Sequence, residues 1–104
     1  MPTAIVQGVF VVDPTVREQF LAASLEGIHA SRTEPGCQEY VLAADPADPA
    51  RVIVSERWDS MEHLSQHTQA VKARRAEAAE RGLTRPEPIS RDVKVYEAVD
   101  SHAP

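Results

Sequence analysis

Residues Ala4 to Val12 put apolar side chains on both sides of one short, proline-free run. Val6, Phe10 and Val12 fall on one side of a strand, and Ile5, Val9 and Val11 on the other. No other feature restricts the fold as strongly. A strand with one wet face alternates apolar with polar, so this one belongs inside a sheet that is covered on both faces. The chain has 104 residues with which to cover it, which suits one domain with a thin core better than two. Residues 1–99 read as that domain, and 100–104 as a frayed tail.

The elements that follow supply one cover. Asp13-Pro14 ends the strand, and Thr15-Val16-Arg17-Glu18 has the form of a capping box, predicting a helix from here. Its inward side carries Val16, Phe20, Ser24, Gly27, Ile28 and Ser31, with Leu21 at the flank and His29 pointing away. Gly27 marks either a close approach to the sheet or a tolerated cost of about 1 kcal/mol. Glu34-Pro35-Gly36-Cys37 is a turn signal, with Pro suited to the first central position of a type II turn and Gly to the positive φ of the second. Cys37 to Ala44 reads as a second strand, Asp45-Pro46-Ala47-Asp48-Pro49 as a loop, and Arg51 to Trp58 as a third strand. Asp59 or Ser60 then caps a second helix, whose inward stripe holds Leu64, His67, Thr68 and Val71 with His63 at its edge. From Lys72 the helix turns to alanine and charge and stops at Gly82. A Pro86/Pro88 connector follows, and then a last strand in which Val93, Val95, Glu97 and Val99 alternate with Asp92, Lys94, Tyr96 and Ala98.

The order βαββαβ predicts an α+β, ferredoxin-like sandwich, with a four-stranded antiparallel sheet carrying two helices on one face. The helices cover only one side of the first and third strands. The other side is expected to pack on a second copy of the chain, giving a homodimer.

Charge narrows the partners. Eleven basic residues against sixteen acidic leave a net charge of −5, with no cationic excess for nucleic acid or anionic membranes. No apolar run approaches the ~20 residues needed to span a bilayer, and the start of the chain has no basic leader, so a cytoplasmic protein is expected. The lone Cys37 fits a reducing compartment and reads as a small packed hydrophobe. Four scattered glycines form neither a dinucleotide nor a phosphate loop. His63 and His67 have a metal-compatible i, i+4 spacing but face different directions, so no metal site is expected.

The block Ser31-Arg32-Thr33-Glu34-Pro35-Gly36-Cys37-Gln38-Glu39-Tyr40, the loop Asp45-Pro46-Ala47-Asp48-Pro49, the strand end Glu56-Arg57-Trp58 and His67 occur in order. Together they resemble the antibiotic biosynthesis monooxygenase family, nearly end to end. The resemblance implies a dimeric α/β barrel and, in several members, cofactor-independent oxidation of phenols or quinols by O₂. Other members isomerise small carbonyl compounds, degrade haem or have no known activity. The second Trp and later axial His of the haem-handling relatives are missing between Thr68 and Leu83.

Five residues are candidates for the site. His67 faces the space between helix and sheet, as a base toward a phenolic substrate or as a core histidine bonded to a backbone carbonyl or to Glu56. Moving a proton from a phenol of pKa ~10 to a free imidazole at ~6.5 is uphill by roughly 5 kcal/mol, so such a site must also stabilise the phenolate. Arg32 is the candidate donor for that. Glu56 either pairs with a cation or orients His67. Trp58 offers a stacking surface or core mass, and Tyr40 a hydrogen bond to a substrate oxygen or packing with a wet hydroxyl. The expected activity is monooxygenation of a small quinol or polycyclic phenol without cofactor. The alternatives are isomerisation of a small hydroxy-carbonyl compound, using the same His67 and Glu56, and a non-catalytic binding or dimerisation module.

Overall fold

A computed structural model describes residues 2–104 of the chain. Strand β1 (Thr3–Val11) leads through a short 3-10 turn (Pro14–Val16) into helix α1 (Arg17–Arg32). Strands β2 (Cys37–Ala44) and β3 (Arg51–Trp58) follow, then helix α2 (Met61–Glu80) and strand β4 (Ser90–Ala98). The strands lie in the order β2-β3-β1-β4 with every neighbouring pair antiparallel. Each βαβ half therefore skips one strand, α1 carrying the chain past β3 and α2 past β1. The two halves interlock in the ferredoxin-like arrangement that the element order predicts.

Local chemistry sets the boundaries. Asp13, not Thr15, is the cap here, and it caps the 3-10 turn that leads into α1, whose own N-cap residue, Val16, makes no side-chain cap bond. The Asp13 carboxylate accepts hydrogen bonds from the Thr15 N–H at 2.9 Å and the Thr15 hydroxyl at 2.7 Å, so the expected capping box is replaced by a local Asp turn that feeds one 3-10 turn. The turn after α1 is type II. The Cys37 N–H donates to the Glu34 carbonyl at 3.2 Å and Gly36 has φ 80°. Ser60 rather than Asp59 caps α2, accepting from the His63 N–H at 3.1 Å. At the other end the Leu83 N–H reaches the Ala78 carbonyl and Gly82, at φ 73°, reaches Ala79, a Schellman closure. In the loop between β2 and β3, the carbonyls of Asp45 and Asp48 both accept from Arg17 Nη1, which fastens that loop to the start of α1.

The helix layer covers the face formed by Ala4, Val6, Val52, Val54, Glu56 and Trp58, all buried. From α1 come Phe20, Ser24, Ile28 and Ser31, as the wheel predicts. Val12, Phe20 and Val52 pack with Phe10, Leu21 and Leu42 at one end of the layer. The other end holds aromatic and ionisable groups instead. From α2 only His67 is buried; Thr68, expected inward, is exposed and bonds back to the Leu64 carbonyl.

Of the two readings open for Gly27 the structure favours tolerance, and the close approach falls at Gly8, to which the sequence assigns no role. A Cβ at Gly27 meets nothing, so that glycine is tolerated rather than required. At Gly8 a Cβ would overlap the Asp92 carbonyl and come within 2.6 Å of the Val93 Cα, so β4 docks on β1 only because this side chain is missing.

The opposite sheet face carries Ile5, Val9, Val11, Val41 and Ile53, half-buried in one chain, and Tyr96, half-exposed. Among the described residues, no helix is long and apolar enough to cross a membrane.

Candidate active site

The ionisable end of the layer is built by four elements. Alternation along β3 sends Glu56 and Trp58 toward the helices, and the β2–β3 register sets Tyr40 opposite Glu56. Two turns beyond the Ser60 cap of α2, His67 comes down onto Trp58. The two rings stack with centroids 4.5 Å apart and planes inclined by 30°. Tyr40 stands beside them, 5.1 Å from His67 and 6.4 Å from Trp58.

The partner of His67 is Glu34, a residue that in the sequence reads only as part of a turn. Its Oε1 lies 2.7 Å from His67 Nδ1. A carboxylate there takes the Nδ1 proton as its hydrogen bond and leaves Nε2 as the basic nitrogen. Glu34 Oε2 in turn faces Arg74 Nη1 at 3.6 Å, and Arg74 Nη2 donates to the Ser31 hydroxyl at 3.2 Å. The chain Arg74–Glu34–His67 fixes both the tautomer and the tilt of the imidazole.

Glu56 stands within ion-pair range of His67 but does not hydrogen-bond to it. Its Oε1 accepts from the Trp58 indole at 3.0 Å and sits 3.7 Å from His67 Nε2, beyond hydrogen-bond distance. Burial pushes its carboxyl pKa up, outweighing the opposing effects of the indole bond and of His67. The Tyr40 hydroxyl is likewise pushed up, by burial first and by the charge of Glu56 second, so it keeps its proton and donates. Among the described residues, no buried side-chain nitrogen or oxygen lacks a hydrogen-bond partner.

The raised pKa of Glu56 has a sign that can be tested. The folded protein holds a proton that the unfolded chain releases, so the contribution of this group is whole below the ordinary value of 4.5 and is lost as pH rises through its raised value. Glu56→Gln is expected to raise the melting temperature at neutral pH and to change it much less near pH ~4. An equal gain at both pH values would show that charge is not what the substitution removes.

Of the five predicted residues, His67, Glu56, Trp58 and Tyr40 come together. Arg32 does not join them: it is exposed, and its Nε donates to the Tyr40 carbonyl at 2.9 Å from outside the layer. It does line, with Tyr40 and Cys37, a hollow of about 340 Å³ at the β2 edge. Cys37 is half-buried, and burial together with the charge of Glu34 raises its thiol pKa. Neither this hollow nor one of about 410 Å³ on the opposite sheet face is lined by His67 or Glu56. His63 points away from His67, its Nδ1 2.7 Å from the Ser60 hydroxyl. Among the described residues, no three His, Cys, Asp or Glu side chains gather as metal ligands would.

Residues 3–79 match a family described as antibiotic biosynthesis monooxygenase. A candidate antibiotic biosynthesis monooxygenase from Chloroflexus aurantiacus has a similar structure, with TM-score 0.70, 26% identity and 97% of each chain covered. A protein of Mycobacterium tuberculosis aligns at TM-score 0.69 with 28% identity, over 99% of this chain and 100% of that one. An uncharacterized protein of Synechocystis is 34% identical over 65 residues, which are 62% of this chain and 44% of that protein. The chain thus matches less than half the length of that curated relative.

Proposed function

The chain belongs to the antibiotic biosynthesis monooxygenase family, and from that premise we propose that it oxidises a small quinol or polycyclic phenol with O₂, without a cofactor and as a homodimer. One observation carries this reading: a buried imidazole, stacked on Trp58 and bonded through Nδ1 to Glu34, with Nε2 left as the base. In this mechanism Nε2 takes the phenolic proton. The electron-rich phenolate passes one electron to O₂, and the resulting radical pair combines at a ring carbon. The carbon keeps one oxygen as a carbonyl, and the other leaves as water with the two hydrogens that the substrate gives up. Tyr40, which keeps its proton, donates to the developing oxyanion, and the cation of Arg74 behind Glu34 steadies the imidazolium that forms. Water is held off by the aromatic walls, which keeps the radical pair together.

The test is O₂ uptake by purified, metal-free protein with hydroquinones and anthrone-type phenols. Uptake above autoxidation is expected. None across the panel would sink the oxygenase reading. The same preparation should sediment at twice the chain mass of 11.4 kDa, because Ile5, Val9, Val11 and Ile53 make the uncovered sheet face apolar. A monomer would refute the dimer.

A second reading rests on Glu56. A carboxyl whose pKa burial has raised, 3.7 Å from an imidazole nitrogen, makes a pair able to move a proton between adjacent carbons of a hydroxy-carbonyl compound. Turnover of such compounds under argon would favour isomerisation. A protein that binds aromatics but turns nothing over is a binding module.

A further inference from the structure

Between residues 74 and 91 the chain, acidic as a whole, carries five arginines against three acidic residues. Among the described residues Arg74, Arg81 and Arg91 each have a carboxylate within 4 Å, whereas Arg75 and Arg85 have none, and the charge of Glu87 reaches Arg85 only from farther away. Arg85 is nevertheless half-buried and held in place. Its Nη1 donates to the Ser24 hydroxyl at 3.1 Å, Ser24 itself donates to the Phe20 carbonyl at 2.7 Å, and the guanidinium lies 4.3 Å over the Phe20 ring. The rest of its planar fork bonds to no protein acceptor and is open to solvent, since no buried side-chain nitrogen is left without a partner. A guanidinium fixed along one edge, with its remaining N–H groups open, offers the planar fork that suits a carboxylate. Burial depresses the pKa of Arg85 and the charge of Arg75 adds to this, while Glu87 opposes it. The position is as telling as the chemistry. Ser24, which holds Arg85, and Ser31, which holds Arg74, lie about two turns apart on the buried side of α1, and the Tyr40 ring, whose hydroxyl feels both guanidinium charges, stands 5.1 Å from His67.

We propose that Arg85, pinned by Ser24 and Phe20, receives a carboxylate carried by the aromatic substrate, so that the site prefers anionic phenols over neutral ones. This rests on reading the His67 cluster as the substrate site. A ring lying along Tyr40 between His67 and Arg85 has its phenolic oxygen at the base and its carboxylate at the fork. The anchor would also fix which hydroxyl of the ring meets Nε2.

Trp58 is the only tryptophan and stacks on His67, so its fluorescence reports binding independently of turnover. Wild type titrated with hydroquinone and with a dihydroxybenzoate should bind the carboxylated ring tighter by roughly tenfold or more. Arg85→Gln should abolish that preference and leave hydroquinone binding unchanged. Arg81→Gln, which removes the same charge from an exposed side chain, should leave it intact. If circular dichroism shows that the glutamine variant is unfolded, Arg85→Lys, which keeps the charge but not the fork, should show a preference clearly smaller than wild type. Equal affinity for the two rings, failure to bind the carboxylated one, or a preference undiminished in the Arg85 variants overturns the proposal. Oxygen uptake with neutral phenols but no carboxylate preference removes this anchor and keeps the oxygenase. A carboxylate preference with no oxygen uptake does the reverse.

Discussion

Replacing His67 with alanine is expected to lower oxygen uptake by about 10²–10⁴-fold, the usual contribution of a positioned base. The fold should survive the change. Glu34 keeps Arg74 as its counterion at 3.6 Å, so no carboxylate is stranded, and the gap opens above the indole at the ionisable end of the layer, away from the cluster around Phe20. The readout that separates a base from a packing residue is chemical rescue. Added imidazole should restore part of the rate in His67→Ala, because it refills the same gap with the same proton acceptor. It should do nothing for a variant that has lost only rigidity. Activity retained to within about twofold would remove His67 from the mechanism. Glu34→Gln should fall between the two, since a glutamine still accepts from Nδ1–H but no longer balances an imidazolium.

The largest loss of stability is expected at Phe20. Its side chain is fully buried, packs on Val12 and Val52, meets Phe10 edge-on with centroids 5.9 Å apart, and carries the Arg85 guanidinium. Phe20→Ala should cost about 3–5 kcal/mol. Against a total of about 5–15 kcal/mol for a domain of this size, that is roughly a fifth of the stability or more. Urea unfolding followed at one fixed protein concentration measures it, and Leu25→Ala, at a position on the same helix that is 52% exposed, gives the surface baseline. A loss under about 1 kcal/mol at Phe20 would mean that the core can collapse around the deletion, and that the aromatic end of the layer carries more of the stability than its size suggests.

The fold was legible because its strongest signals are local. A two-faced β1, a Pro-Gly turn and two amphipathic helices admit few arrangements in so short a chain. The site was only partly so. Alternation brought Glu56 and Trp58 to one face and the helical wheel brought His67 down to meet them, since both follow from period alone. Glu34 escaped because it belongs to a turn, where a carboxylate has a sufficient local reason to exist, and its imidazole partner lies 33 residues away. Arg74 sits in an alanine-and-charge stretch that reads as a solvated helix end, and Arg85 in a proline connector. Their partners are hydroxyls and rings on α1, which no spacing rule links to them. Arg32, adjacent in sequence to the turn, was the arginine that proximity along the chain suggested. Thr68 shows the reverse limit: a wheel gives direction, but reach depends on how far the sheet extends beneath the helix.

The strand order has a consequence for how the chain comes into being. β1 is made before both strands that flank it, β3 and β4. The most apolar strand therefore waits without a partner until β3 has been synthesised, and keeps one open edge until β4 follows. Such non-local pairing is slow to form and leaves a sticky segment in the open meanwhile. This domain cannot assemble strand by strand from β1 onward, and its yield in the cell should depend on what shelters β1 during translation.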